Sequence, residues 1–207
     1  MAKGANDFIL RDRLQITLDA TGDSDTKYGR MDLSDFVNTQ EKKGIKIKEI
    51  YLQVRDPNNA GLGSSNTGIW NPAMGLTEAG SPGEASLSYK MVATTRAYES
   101  LRDVGIGSPD VLYCLDQIWT FNQSNTAGSG QLDFRWSEWP TRDLHPEGYT
   151  VVSDLLIGVA VDEYANAGIE DAKWHDAVIE IDVMIIAAKV TVTQKMLTNL
   201  LTQAQDV

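Results

Sequence analysis

Asp143, His145 and Glu147 fall within five residues in "RDLHPEGY". Two carboxyls and an imidazole at alternate positions would share one strand face and could relay a proton. Pro146 in their midst argues for a turn, so a polar loop is the simpler reading. His175 and Asp176 in "WHDA" are a weaker pair, and the chain has no third histidine. Asp19, Asp23 and Asp25 in "DATGDSDTKYGRMD" put oxygen donors on a loop, as calcium requires. The EF-hand spacing and its terminal Glu are missing, and a solvated acidic loop is favoured. Two histidines and one thiol cannot close a zinc or iron site without several carboxylates. The lone cysteine, Cys114, sits in the apolar "VLYCLDQIW" and reads as a small buried hydrophobe rather than a nucleophile. There is no GxSxG, no P-loop and no GxGxxG after a strand. The expectation is a non-enzyme with no catalytic residue, no cofactor and no metal.

Two further sets of residues point to binding rather than catalysis. Among five tryptophans, Trp136 and Trp139 in "RWSEWP" are the best candidates for a glycan-stacking surface. Rings also dominate cores and subunit interfaces, which is the favoured reading of the tryptophans as a group. Lys42, Lys43, Lys46 and Lys48 form a basic patch in "QEKKGIKIKE". An edge strand guarded by lysine explains it more simply than nucleic acid does. The formal net charge of −11 repels nucleic acid and anionic lipid, so no sequence-specific nucleic-acid contact is expected.

The elements that must position these residues are mostly strands. "RLQITLDA" alternates, with Leu14, Ile16 and Leu18 on one side. In "IKIKEIYLQVRD", Ile45 and Ile47 share one phase and Ile50, Leu52 and Val54 the other, which predicts a β-bulge at Glu49. "SLSYKMVATT" is a strand, and "DVLYCLDQIWTF" with "QLDFRWSEW" reads as a hairpin. "VVSDLLIGVAVDEY" is apolar on both faces and β-branched, so it is a strand covered on both sides. The outer cover is a loop, the C-terminal helix or a neighbouring subunit. "DAVIEIDVMIIAAKVTV" completes the strands. "TGDSDTKYG" reads as a loop, "RMDLSDFVNTQEKKG" as a short strand or a short helix, and "TRAYESLRDVG" as a helical turn or two. Residues 193–205 read as an amphipathic helix capped by Thr193, with Val192 and Leu197 as its staple. Self-docking of this helix is slightly preferred.

The fold class is therefore mainly β: an antiparallel β-sandwich of jelly-roll type, about eight strands, with a short C-terminal helix. A single domain over residues 1–207 is expected, with residues 56–85 a long loop insertion anchored by Ile69, Trp70 and Met74. Those three, with Leu197, Leu200 and Leu201, are the candidate interface residues. The apolar run Phe8-Ile9-Leu10 is too short for a secretory signal, and no window reaches the length of a spanning helix, so folding in the cytosol is expected.

This organisation, over about residues 12–192, resembles a viral single jelly-roll capsid protein. The resemblance implies a shell subunit of a virion, made in the host cytoplasm, that assembles with copies of itself and with other virion proteins. "MAKGANDFILRDR" lacks the basic arm of capsid proteins that bind a single-stranded genome. It looks more like the acidic single-jelly-roll proteins that enclose an internal membrane or other shell. The rival readings are a carbohydrate-binding sandwich, such as an adhesin or spike module using Trp136 and Trp139, and an enzyme uniting Asp143, His145 and Glu147.

Overall fold

The alternating segments close into two antiparallel sheets. The structure, a computed structural model, describes residues 6–17, 25–55, 68, 83–108, 110–123, 130–139, 148–165 and 178–203. Its strands are β1 (Asp7–Thr17), β2 (Asp25–Met31), β3 (Lys43–Arg55), β4 (Gly83–Thr94), β5 (Val111–Gln123), β6 (Gly130–Trp139), β7 (Tyr149–Val151), β8 (Leu155–Ala165) and β9 (Val178–Thr191). A helix, α1 (Gln194–Gln203), follows. One sheet has the order β1-β9-β3-β7 and the other β2-β8-β4-β5-β6.

With β6 set aside, the remaining eight strands pair from the outside in. First pairs with last (β1–β9), second with seventh (β2–β8), third with sixth (β3–β7) and fourth with fifth (β4–β5). This is one long hairpin wrapped into two sheets, the jelly roll expected from the sequence. β6 is an addition, joined to β5 as the expected hairpin.

Two strands lie where sequence patterning was poor. β2, "DTKYGRM", covers residues read as loop and as ambiguous segment. It has little alternation of its own, but β8 offers it a ladder from Asp25–Val161 to Met31–Leu155. After it, residues 32–42 form turns rather than a strand or helix, and Leu33 O accepts from the backbone N–H groups of Phe36 and Val37. β7 is only three residues long. The lysine-rich strand is an edge only in part: β7 flanks Ile45–Ile47, and among the described residues 48–55 have a strand partner, β9, on one side alone.

The inner faces carry the core. Ile16, Ile45, Ile47 and Ile50 meet Tyr89, Met91, Leu155, Ile157 and Val159 from the other sheet, with Ile179, Ile181 and Ile185 of β9. Burying each such side chain stabilises the fold by roughly 1.5–3 kcal/mol. Ile47 pairs with Ala187 and Glu49 with Ile186, so Lys48 is the extra residue of the predicted bulge. The bulge keeps Ile45, Ile47 and Ile50 all buried despite their change of phase.

The outer face of β8 is covered by the chain itself. Val92, Leu101, Val104, Val111 and Cys114 form a second buried cluster, with Tyr28, Tyr98 and Ala160 packed on it. Leu101 lies on a 3-10 turn (Leu101–Asp103) whose N-cap Ser100 accepts from the backbone of Arg102. Gly158 sits beneath this cover. A Cβ there would lie 2.6 Å from the ring of Tyr28 and about 3 Å from Val92 and Leu101. A third cluster joins α1 to the sandwich, where Leu197 is buried with Val152 and Val192. Thr193 Oγ1 accepts from Met196 N at 3.2 Å, as an N-cap does.

Candidate assembly surface

Several residues singled out in the sequence fall outside the described residues. These are Asp143, His145, Glu147, His175, Asp176, Asp19 and Asp23, and the anchors Ile69, Trp70 and Met74. Asp25 opens β2. Among the described residues no group of three His, Cys, Asp or Glu is placed to hold a metal ion. Cys114 lies in the outer cluster, and burial pushes its thiol up to about 11, so it stays protonated near neutral pH. No helix among the described residues is long and apolar enough to cross a membrane.

Lysine charge on β3 is met locally. Lys48 pairs with Asp7 at 2.6 Å and Lys43 with Glu41. The outer face of the four-stranded sheet carries a mixed network instead. Arg13 donates to both carboxylate oxygens of Asp182 at 2.5 and 3.1 Å, and Gln15 donates to Glu180 at 3.0 Å. Arg55 lies 3.8 Å from Asp182 and 3.9 Å from Glu180. The Arg13 hydrogen bond holds the Asp182 carboxyl below its usual range. On the other sheet, Arg96 forms an ion pair with Asp110 at 2.8 Å and stacks over the ring of Tyr98, whose hydroxyl donates to the same carboxylate. This partly buried group, with Asp110 at its buried centre, ties the start of the cover over β8 to its end. A cleft of about 280 Å³ opens beside that cover. Lys90 there is already bound to Val104 O and lies 3.4 Å from Asp116.

Of the candidate interface residues on the helix, Leu197 is buried and Leu200 and Leu201 pack beside it on the chain's own third cluster. Trp136 and Trp139 are both exposed, at 58% and 40%. They do not share a surface. Trp136 stands opposite Gln117 and Trp139 opposite Cys114, which places them on opposite faces of the sheet. Phe134 and Trp136 share one face, as the alternation of "QLDFRWSEW" predicts, and the Phe134 ring lies 4.0 Å from that of Trp119, a contact the sequence reading missed. The Trp119 indole N–H is buried and finds no acceptor among the described residues. The exposure of Phe134 and Trp136 follows from β6 lying beyond the eight-strand jelly roll, which alternation alone does not reveal.

No protein-family model matches the chain, and no curated protein matches it. Solved structures similar to it include one of desmodium yellow mottle tymovirus, 9% identical, TM-score 0.31, covering 94% of this chain and 88% of that one. Another is of turnip yellow mosaic virus, 7% identical, TM-score 0.32, covering 90% and 98%. A third is VP1 of Trichodysplasia spinulosa-associated polyomavirus, solved with 3'-sialyllactose, 7% identical, TM-score 0.29, covering 93% and 99%. The likeness is to viral proteins, as expected from the sequence, and at these identities and TM-scores it is one of outline only.

Proposed function

We propose that the chain is a structural subunit of a virion shell that assembles with copies of itself and with other virion proteins. The observation that carries this reading is the nested pairing of eight strands, a jelly roll used by viral capsids, lectins and cupins. Fold alone does not choose among these. A cupin metal centre needs a cluster of strand-borne histidines, and the chain has two, at positions 145 and 175. A stacking lectin built on Trp136 and Trp139 needs both rings on one face, and their register sets them apart. A shell subunit needs a rigid body and self-contacts. Two well-packed sheets and the exposed apolar residues of β6 supply both requirements. Ile69, Trp70 and Met74, and the sides of Leu200 and Leu201 left partly exposed by their packing on the third cluster, are proposed as further contacts.

Negative-stain electron microscopy with size-exclusion chromatography tests this. The expected outcome is closed, uniform particles at raised protein concentration. A monomer that persists at high concentration and in molar salt, with no ordered assembly, counts against the shell.

A further inference from the structure

We infer that β6 is a self-pairing edge, through which two copies of the chain join antiparallel about a two-fold axis at Phe134. Such a dimer needs no shell, so it goes beyond the reading above.

A sheet edge is a row of unpaired backbone groups, and proteins usually blunt it with short strands, lysine, proline, bulges or a cover. The other edges of this fold are handled in those ways. β7 is three residues long, and the stretch of β3 beyond it, residues 48–55, opens with a lysine at the bulge. β1 and β2 draw together, and Leu14 lies so close to Gly29 that a Cβ there would be 2.7 Å away. Among the described residues β6 is long, unbulged and uncovered, and the charges it carries, Asp133, Arg135 and Glu138, are of both signs. Its ladder with β5 runs without a register shift from Gly130 to Trp139, and its sequence, "GQLDFRWSEW", holds neither lysine nor proline. Among the described residues no strand pairs with its outer side. It also leaves Phe134, Trp136 and Trp139 exposed.

The charges on β6 say what the partner is. Asp133 and Arg135 share the face opposite Phe134, and both side chains are exposed, at 51% and 79%. A two-fold at Phe134 sets Asp133 of each copy across from Arg135 of the other, giving two opposite-charge pairs, while Phe134 meets Phe134 on the other face. A two-fold at Arg135 would instead oppose the two arginines. In the favoured register position 132 also falls opposite Trp136, Gln131 opposite Ser137 and Glu138 opposite Gly130, so no pair sets like charges together. Self-complementarity of this kind is what a second copy requires, and a foreign partner would not need it.

Sedimentation of wild type, Asp133→Arg, Arg135→Asp and an equimolar mixture of the two variants tests the contact. Wild type dimerises as concentration rises. Each variant alone opposes like charges at both pairs and weakens dimerisation about tenfold or more. The mixture recovers the dimer, because each arginine-bearing edge then faces an aspartate-bearing one. This recovery separates the contact between copies from the Asp133–Arg135 ion pair within one strand. A wild-type monomer at every concentration, variants that dimerise as tightly as wild type, or a mixture that stays monomeric overturns the inference. Particles that assemble equally well from wild type and either variant also overturn the β6 contact, and leave the shell intact. A wild-type dimer that never forms larger particles keeps the contact and removes the shell.

Discussion

Asp110 is the residue on which most depends locally. Its carboxylate is 2% exposed and faces Arg96 and the Tyr98 hydroxyl. Removing one member of such a pair strands the other charge. Asp110→Ala is expected to lower unfolding free energy by about 3 kcal/mol, measured by urea denaturation. The double variant Asp110→Ala/Arg96→Met is expected to recover part of that loss, since it leaves no unpaired charge. Asp182 differs in kind, because it is half-exposed and paired with Arg13. Its folded-state pKa is depressed. Its contribution is therefore fully present above the unfolded carboxyl value of about 3.9 and is lost as pH falls through the folded value. Asp182→Asn should fall slightly below wild type in urea midpoint at pH 7, and the two should converge near the acid limit. A gap that widens on acidification would show that Arg13 is not the cause. Neither pair was legible in the sequence, since Arg96 and Asp110 join across a cover and Arg13 and Asp182 join strands at opposite ends of the chain.

At the level of elements, the apolar segment around Gly158 shows what patterning reveals and where it stops. Its β-branched residues predicted a strand buried on both faces, and β8 is that strand. What covers the outer face depends on a segment roughly sixty residues earlier that has weak periodicity of its own. The glycine records the cover: the Tyr28 ring over it is held by hydrogen bonds from its hydroxyl to Tyr98 O and from Tyr98 N to its hydroxyl. Because that ring cannot swing away, Gly158→Val overpacks the site and is expected to cost about 1–3 kcal/mol, read from thermal or urea unfolding. An unchanged midpoint would mean that the cover lifts freely. The helix was legible for a simpler reason, since its cap and staple are local in sequence. Thr193→Ala should cost about 1 kcal/mol through loss of the bond to Met196 N.

For the whole molecule, strand existence could be read from alternation but strand order could not. "QLDFRWSEW" has the same pattern whether it lies at the centre of a sheet or at its edge, and only long-range pairing places β6 outermost. Charge works at this scale too. A shell gathers many copies of a chain carrying −11, so repulsion among subunits opposes assembly. The Debye length is about 30 Å at 0.01 M salt and about 8 Å at 0.15 M, so repulsion between neighbours fades over that range. The Asp133–Arg135 pairs proposed at β6 respond in the opposite direction, although close contact shields them from much of the screening. Particle yield, followed by light scattering at fixed protein concentration, should therefore rise from about 0.01 to about 0.15 M salt. The β6 dimer, followed by sedimentation, should change less and weaken in molar salt. If both fell together as salt rises, attraction between opposite charges rather than apolar contact would hold the particles, and the exposed rings of β6 would have no part in them.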